Sequence, residues 1–222
     1  MDPGTRNHLF VKVEFLSLRK LQAWKIAFPN PSTSAACYAK SLSIGYHRNG
    51  APADAEEGDW IPTFSRIEHL EVHIFSPKTP LAPFHGFSPA IKSLHIKIDF
   101  TYSTRQIFDL ISSFPLLQDL SLKLFSLTYH DACFDEQSAI IPPSSSPVLM
   151  GSLELSVYAK TKLITYLLLS LPSGLHFREL KLILHCKGDG LPTGALMEGY
   201  SSTLESLSID CRVPGMFISH LG

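Results

Sequence analysis

The sequence predicts an α/β fold in which a parallel sheet is assembled from a repeated strand-and-return unit. The stretch 117–124 reads Leu-Gln-Asp-Leu-Ser-Leu-Lys-Leu, with apolar residues at repeat positions 0, 3, 5 and 7. The last three alternate with polar residues, as in a half-buried strand. The same spacing recurs along most of the chain, and its further copies begin at Ala39, Ile67, Ile91, Met150, Phe177 and Leu204.

The intervals between these seven units indicate which kind of repeat they form. They are 28, 24, 26, 33, 27 and 27 residues long, and five of the six fall within the roughly 20 to 29 residues of leucine-rich repeats. One such unit cannot bury its apolar face alone, whereas stacked units share a continuous core. We therefore predict an irregular leucine-rich-repeat solenoid, with a curved parallel sheet on the concave side and helices and loops on the convex side.

The repeats define one predicted domain. Residues 21–222 are expected to form seven or eight repeats, and residues 1–20 an N-terminal segment that the periodicity does not assign. The eighth repeat would begin at Leu21 and place Trp24, Ile26 and Phe28 in the apolar positions of a strand. Residues 10–18 fit either a preceding strand or a helix.

The spacers between units predict the return segments. Ile107, Ile111 and Phe114 stand at i, i+4 and i+7, which indicates one face of a helix, and Pro115 ends it. Helices are also predicted over 161–170 and, shorter, over 192–200. The spacer 75–90 contains four prolines and leaves little room for a helix. Residues 49–59 and 130–147 are predicted to be exposed loops.

Position 3 of each unit is expected to line one continuous core. The residues at this position are Leu42, Leu70, Leu94, Leu120, Leu153, Leu180 and Leu207. We predict that all six from Leu70 onward are buried together.

Composition excludes several classes of protein. The chain is 45% hydrophobic and 18% charged, as in folded proteins, and its 19 basic and 20 acidic residues lack the basic excess of a nucleic-acid-binding surface. The longest apolar run, 163–171, is about half the ~20 residues needed to span a membrane. The first residues lack the apolar segment of a signal peptide. We expect an intracellular protein, cytoplasmic or nuclear, that binds neither nucleic acid nor membranes.

Cysteine usage and the search for catalytic motifs both favour a non-enzymatic protein. Four cysteines without a Cys-x-x-Cys pair indicate free thiols rather than a metal site or a disulfide framework. The segment 199–203 resembles the Gly-x-Ser-x-Gly nucleophile elbow but lacks its final glycine. His185 and Cys186 are neighbours in a predicted strand, so their side chains point to opposite faces. We predict no catalytic residue, no cofactor and no metal; a hydrolase-like α/β enzyme is the least favoured alternative.

Repeat positions 4 and 6 alternate with buried residues, so they must point to the concave face. Among them His73, Lys97 and Lys123 share position 6 in three successive repeats, and His95 lies at position 4 beside them. If the strands stack in order, these four residues form a basic patch that would dock an acidic or phosphorylated segment of a protein partner. Neighbouring cations should lower the pKa of His95. The alternative is an ordinary solvated face, in which case the loops 49–59 and 130–147 are the next candidates.

Phrases within the repeats resemble a known family. The stretches 111–120 (Ile-Ser-Ser-Phe-Pro-Leu-Leu-Gln-Asp-Leu) and 168–180 (Leu-Leu-Ser-Leu-Pro-Ser-Gly-Leu-His-Phe-Arg-Glu-Leu) resemble the leucine-rich-repeat region of F-box-type proteins of mushroom-forming fungi. The resemblance covers roughly residue 21 onward and implies a protein-interaction module, the substrate-recognition part of a ubiquitin-ligase subunit. A repeat domain of a sensor or scaffold unrelated to ubiquitin is the alternative.

Two departures from the family pattern qualify what the resemblance implies. Position 8, which usually holds Asn or Cys, here holds His47, Phe75, Asp99, Phe125, Tyr158, His185 and Arg212. The solenoid is therefore expected to be irregular. In addition, no F-box is visible in residues 1–20, so we expect a Skp adaptor to bind only if an F-box lies outside this chain.

Overall fold

In the part of the chain that the computed structural model describes, eight β-strands form a single open sheet. The structure describes residues 12–30, 34–46, 58–74, 81–98, 104–124, 150–157, 165, 168–169, 176–184, 190–200 and 202–212. The strands are β1 (Lys12–Phe15), β2 (Ser41–Tyr46), β3 (His69–Ile74), β4 (Ser93–Ile98), β5 (Asp119–Leu124), β6 (Ser152–Val157), β7 (Glu179–Leu184) and β8 (Ser206–Cys211). They lie in the order of the chain and every neighbouring pair is parallel. The predicted α/β class and parallel sheet are confirmed.

The register of the sheet follows the spacing of the repeats. Leu70 is aligned with Leu94, and Leu94 with Leu120, so equal repeat positions lie side by side. The same alignment continues through β8. A slip of one residue would turn the apolar set of a strand to the other face, so the shared apolar spacing is sufficient to select this register.

The repeat predicted to begin at Leu21 is wrong. Residues Leu18–Ala27 form helix α1, and the first strand is β1, within the region that periodicity left open. Leu, Arg, Lys, Gln and Ala dominate this segment and favour a helix. Ser17 caps it, since its Oγ accepts the backbone N–H of Lys20 at 3.4 Å. Ile26, assigned above to a buried strand position, is 82% exposed.

The return segments are helical or form short 3-10 turns. Helix α2 (Thr104–Ser112) and helix α3 (Gly190–Tyr200) confirm two of the predicted helices, and Thr165, Leu168 and Leu169 are helical within the third. The earlier returns contain the 3-10 turns Ala35–Tyr38, Gly58–Phe64 and Ala82–Gly86. The last of these lies in the proline-rich spacer, where the missing N–H of proline disfavours a longer helix. The predicted loop 130–147 lies outside the described residues, as does 49–57.

One hydrophobic cluster connects the sheet to the returns. Leu70, Leu94, Leu120, Leu153 and Leu180 are at most 1% exposed, and they share this cluster with Ile111 of α2 and Leu196 of α3. The helices therefore pack on the apolar face of the sheet. Leu207 contradicts the prediction, because it is 45% exposed. Its strand β8 has a neighbouring strand on one side only within the described sheet, so the packing that buries its equivalents is incomplete.

Aromatic rings fill the space between the first strands and their short returns. Phe64 lies 6.1 Å from Phe15, 5.5 Å from Trp24 and 5.8 Å from Trp60, measured between ring centroids. Trp60 in turn meets Phe87 at 5.8 Å. Short 3-10 turns present few side chains, and large rings compensate because each buries roughly 150 to 250 Å².

A second set of hydrogen bonds and ion pairs lines the edge where the strands begin. The carbonyl of Lys40 accepts the N–H groups of Glu68 and His69, and the carbonyl of Glu68 accepts those of Lys92 and Ser93. Their side chains form an ion-pair ladder, with Glu68 lying 3.2 Å from Lys40 and 2.9 Å from Lys92. We call Lys40, Glu68 and Lys92 the rim ladder.

This edge is modified between β5 and β6, where the longest interval between repeats falls. Asp119 Oδ1 accepts both the backbone N–H of Ser152 at 2.7 Å and its hydroxyl at 3.0 Å. Only the N–H of Gly151 reaches the preceding carbonyl, that of Gln118. A Cβ at position 151 would clash with Asp119 Oδ1 and lie 3.1 Å from the carbonyl oxygen of Gln118, so a larger residue would displace the Asp119 carboxylate from Ser152. Met150, assigned above to an apolar core position, is 49% exposed beside this altered junction.

Candidate docking surface on the polar face of the sheet

Repeat positions 4 and 6 form two continuous rows on the face of the sheet opposite the core. Register partners from β2 to β8 place equal positions on neighbouring strands. Row 4 consists of Ser43, Glu71, His95, Ser121, Glu154, Lys181 and Ser208. Row 6 consists of Gly45, His73, Lys97, Lys123, Ser156, Ile183 and Asp210. We call these two rows the polar face.

The four residues of the predicted patch lie together at the centre of the polar face. His73, Lys97 and Lys123 are register partners on β3, β4 and β5. His95 lies on β4, two residues before Lys97 and between Glu71 and Ser121 of the neighbouring strands. The contiguity expected from the repeat spacing is therefore present in the structure.

The first of two carboxylates at this centre is Glu71. Its Oε1 lies 2.7 Å from His73 Nε2 and 2.9 Å from Lys97 Nζ, and these two nitrogen atoms lie 3.5 Å apart. Partial burial of Glu71 opposes its ionisation, but hydrogen bonds from Lys97 and His73 outweigh this and lower its pKa to about 2. Glu71 thus holds two members of the predicted patch in place.

Glu154 has the same role three strands further on, in β6. Its Oε2 lies 3.1 Å from Lys123 Nζ and accepts the hydroxyl of Ser121 at 2.8 Å, while its Oε1 lies 3.0 Å from Lys181 Nζ. Partial burial again opposes ionisation, and the contacts with Lys181, Ser121 and Lys123 lower the pKa of Glu154 to about 2. The carboxylate is an internal counterion for two lysines.

His95 lies between these two carboxylate-centred clusters. Desolvation is the largest cause that lowers the pKa of His95, and the positive charges of Lys123 and Lys97 lower it further. The negative charges of Glu71 and Glu154 act in the opposite direction. The direction agrees with the sequence prediction, although the principal cause is desolvation rather than repulsion between like charges. A pKa lowered from the ordinary value of 6.5 favours the neutral imidazole at pH 7. The side chain is exposed and therefore accessible to a ligand.

The centre of the polar face therefore differs from the bare basic patch predicted from the sequence. Lys97, Lys123 and Lys181 contribute three positive charges and the two glutamates two negative ones, which leaves one positive charge with the histidines neutral. Glu71, Glu154, Lys181 and Ser121 were missed as members of the site. Their positions in row 4 were visible in the repeat pattern, but the pattern does not show which side chains meet.

A serine and a histidine are also in contact away from the polar face. His85 Nδ1 lies 2.5 Å from the Oγ of Ser113, after the end of α2. That Oγ also donates to the carbonyl of Asp109 at 2.9 Å. The adjacent N–H groups of Ser113 and Phe114 bond to carbonyls of α2, so these two groups are not placed to stabilise an oxyanion. The pair connects the 3-10 turn Ala82–Gly86 to the end of α2.

The remaining motifs provide no chemical site within the described residues. Gly199 lies in the last turn of α3, while Ser201, His185 and Cys186 fall outside the described residues. Cys37 and Cys211 are free thiols, and Cys133 is outside the described part. In the part of the chain that the structure describes, no three His, Cys, Asp or Glu side chains are grouped closely enough to hold a metal ion. No helix there is long and apolar enough to cross a membrane.

Comparison with known proteins adds no relative. No protein-family model, no curated protein sequence and no solved structure matches this chain.

Proposed function

We propose that this chain is a protein-interaction module, a leucine-rich-repeat solenoid resembling the substrate-recognition repeats of an F-box ubiquitin-ligase subunit. The observation that carries the proposal is the pair of in-register polar rows across the strands β2 to β8. The strands β3 to β8 each carry two side chains on the face that the core does not use, and three of these side chains, Ser121, Ser156 and Ile183, are buried. Such a surface offers a partner many contact points in fixed order.

The polar face is also pre-organised for binding. Neighbouring parallel strands lie about 4.8 Å apart, and contacts of Glu71 and Glu154 with neighbouring strands orient Lys97, Lys123 and Lys181. Side chains held before binding lose less conformational entropy when a partner arrives. The basic centre, His73, His95, Lys97 and Lys123, is the proposed point of contact.

The leucine-rich-repeat assignment is supported by the repeat interval and by the alignment of the apolar positions. Intervals of 24 to 33 residues each bring the chain back to an adjacent parallel strand. The unusual residues at position 8 favour an irregular member of this class. A repeat domain of a sensor or scaffold is the second candidate, because the same polar face would serve it; a Skp adaptor would be bound only through an F-box outside this chain.

Substitution of the two central lysines tests the proposal. We expect Lys97→Gln with Lys123→Gln to abolish capture of the protein partner in affinity purification from cells, with little change in thermal stability. Glutamine is preferable to glutamate at these positions because each lysine lies about 3 Å from a carboxylate, and a reversed charge would be repelled. The measurement is the list of proteins retained by the wild-type and variant chains.

The rim ladder supplies a matched control. Lys40→Gln with Lys92→Gln removes the same charge from lysines that are paired with a glutamate outside the two polar rows. This control should retain the wild-type partners. An identical partner list from all three proteins would exclude the basic centre as the docking site.

A further inference from the structure

The two edges of the described sheet are built differently. At one edge β1 has only four residues, and Lys12 forms an ion pair with Glu14 on it. A short edge strand that carries a lysine is protected against pairing with another strand. At the other edge β8 has six residues, Ser-Leu-Ser-Ile-Asp-Cys, with neither lysine nor proline among them. Within the described sheet β8 has a neighbouring strand on one side only, so this edge lacks the protection that β1 has.

The apolar side chains of β8 are also open to solvent. Leu207 and Ile209 are 45% and 47% exposed, whereas their register partners in β7, Leu180 and Leu182, are each 1% exposed. A further strand beside β8 would extend the apolar layer of the sheet and cover these two side chains. The edge and the apolar side chains of β8 therefore fit the same kind of occupant, which is another strand.

The backbone of β8 determines which of its groups such a strand would meet. The N–H groups of Ser206 and Arg212 donate to carbonyl groups of the preceding repeat. In a parallel ladder the N–H and C=O groups of one residue point to the same side, and successive residues alternate. The backbone groups of Leu207, Ile209 and Cys211 consequently point away from β7, towards the open side.

We propose that two copies of this chain pair through β8 in antiparallel orientation, about a two-fold axis that passes through Ile209 perpendicular to the sheet. In this register Ile209 lies opposite Ile209 of the second copy, and Leu207 lies opposite Cys211. Each of these hydrogen-bonded pairs exchanges two N–H···O bonds, so the junction has about six. Every backbone group that β8 directs outward is then used.

The side chains that meet in this register are complementary on both faces of the sheet. Only leucine, isoleucine and cysteine side chains meet on the apolar face. On the polar face Ser208 lies opposite Asp210, to whose carboxylate its hydroxyl can donate, and Ser206 lies opposite Arg212. The two Asp210 carboxylates are diagonal neighbours across the axis, but each is paired with Arg212 of its own strand at 2.7 Å. The junction therefore brings no unpaired like charges together.

A second β8 fits this edge better than the β1 edge of another copy, because β1 offers four residues and an ion pair to a strand of six. One pair of strands is a small interface, and interfaces below about 1,200 Å² belong to the weak class. We expect a reversible dimer with a dissociation constant on the order of 10 μM. Its axis would place both polar faces on the same side of the joined sheet, where a partner with two binding segments could engage both.

Sedimentation equilibrium of the full chain under reducing conditions, from about 1 to about 200 μM, brackets the expected dissociation constant. Ile209→Lys places two ammonium groups at the axis and should raise that constant by at least about tenfold. Thermal unfolding should change little, because the side chain is about half exposed. Ile26→Lys is the matched control, since it makes the same change at an isoleucine of α1 that is 82% exposed. It should dimerise as the wild type does.

A disulfide tests the register of the two strands. Leu207→Cys places a new thiol opposite Cys211 of the second copy, and a Cα separation of about 5.5 Å in a hydrogen-bonded antiparallel pair suits a disulfide. Within one strand the two positions are roughly 13 Å apart, which is too far for a disulfide. Oxidised Leu207→Cys should give a covalent dimer on a non-reducing gel. Adding Cys211→Ser to this variant should remove that dimer.

Three results would overturn the proposal. A wild-type chain that stays monomeric at every concentration would leave β8 to another segment of the chain or to a different protein. A dimer that forms equally well in Ile209→Lys would place the contact elsewhere on the molecule. A dimer in which Leu207→Cys forms no disulfide with Cys211 would exclude the register with Ile209 on the axis. None of these outcomes bears on partner capture by the polar face, which is measured separately.

Discussion

The centre of the sheet and its last strand have the same apolar pattern but different packing. In β5, Leu120 is 1% exposed, whereas Leu207, its equivalent in β8, is 45% exposed. Both residues lie in strands of six residues and in the same register position. The apolar spacing determines that a segment forms a strand and which face carries its leucines. Burial depends in addition on neighbours, and β8 has a strand on one side only within the described sheet.

The largest expected effect follows directly from this comparison. Leu120→Ala should lower the free energy of unfolding by about 2 to 5 kcal/mol, since it leaves a cavity in a closely packed core. Leu207→Ala should cost less than about 1 kcal/mol, because roughly half of the side chain is already in water. Urea denaturation of both variants measures the difference. Equal losses would show that the two strands are packed alike.

The difference between these strands also shows what the sequence can and cannot predict. The repeat spacing predicted the strands β2 to β8, their register and the two polar rows, because each follows from a period of two within a longer repeat. It did not distinguish helix α1 from a strand, since Trp24, Ile26 and Phe28 satisfy the apolar spacing of a strand while the intervening residues favour a helix.

The sequence predicted where the residues of the candidate site lie in the sheet, but it did not predict which of their side chains contact each other. Row 6 brought His73, Lys97 and Lys123 together, as the period requires. The glutamates that organise them lie on neighbouring strands 26 and 31 positions away, Glu71 before Lys97 and Glu154 after Lys123. Which lysine meets which glutamate depends on side-chain conformations, and repeat periodicity does not contain that information. The pair of His85 and Ser113 was missed for the same reason.

A smaller effect is expected where the regular edge of the sheet is interrupted. Asp119→Ala removes the acceptor of the Ser152 backbone N–H between two central strands, at 2.7 Å. We expect a loss of about 1 to 3 kcal/mol, because a partly buried donor is left without its charged acceptor. The matched change near the end of the sheet is Thr203→Ala, which removes the hydroxyl bond to the carbonyl of Phe177 at 3.1 Å. It should cost about 1 kcal/mol or less.

The free energies of unfolding of Asp119→Ala and Thr203→Ala compare the hydrogen bonds at the centre of the sheet with those near its end, as the leucine variants compare the apolar packing. If Thr203→Ala proves as costly as Asp119→Ala, position in the sheet has no influence on the strength of its polar contacts. Asp119→Asn separates charge from geometry, since the amide oxygen can still accept the N–H bond. It should recover part of the loss.

The smallest effect that we expect is a loss of stability at low pH when Glu71 and Glu154 of the polar face become protonated. The pKa values of Glu71 and Glu154 are about 2 in the folded chain, below the ordinary glutamate value of 4.5. A lowered pKa contributes stability that is complete above about pH 4.5 and is lost as the pH falls towards 2. Both groups are partly exposed, and solvent screening reduces the contribution to no more than about 1 kcal/mol each. The free energy of unfolding should therefore decline more steeply between pH 4.5 and 2 in the wild type than in Glu71→Gln with Glu154→Gln.

The end of the sheet again provides the contrast. Asp210 of β8 pairs with Arg212 at 2.7 Å, and their side chains are 44% and 60% exposed. Exposed pairs of this kind contribute little to stability, so Asp210→Asn should leave the acid dependence of the wild type intact. Urea denaturation at a series of pH values compares the three proteins. A steep acid dependence that survives in Glu71→Gln with Glu154→Gln would assign the loss to carboxylates other than these two, and the central clusters would then add little to the stability of the fold.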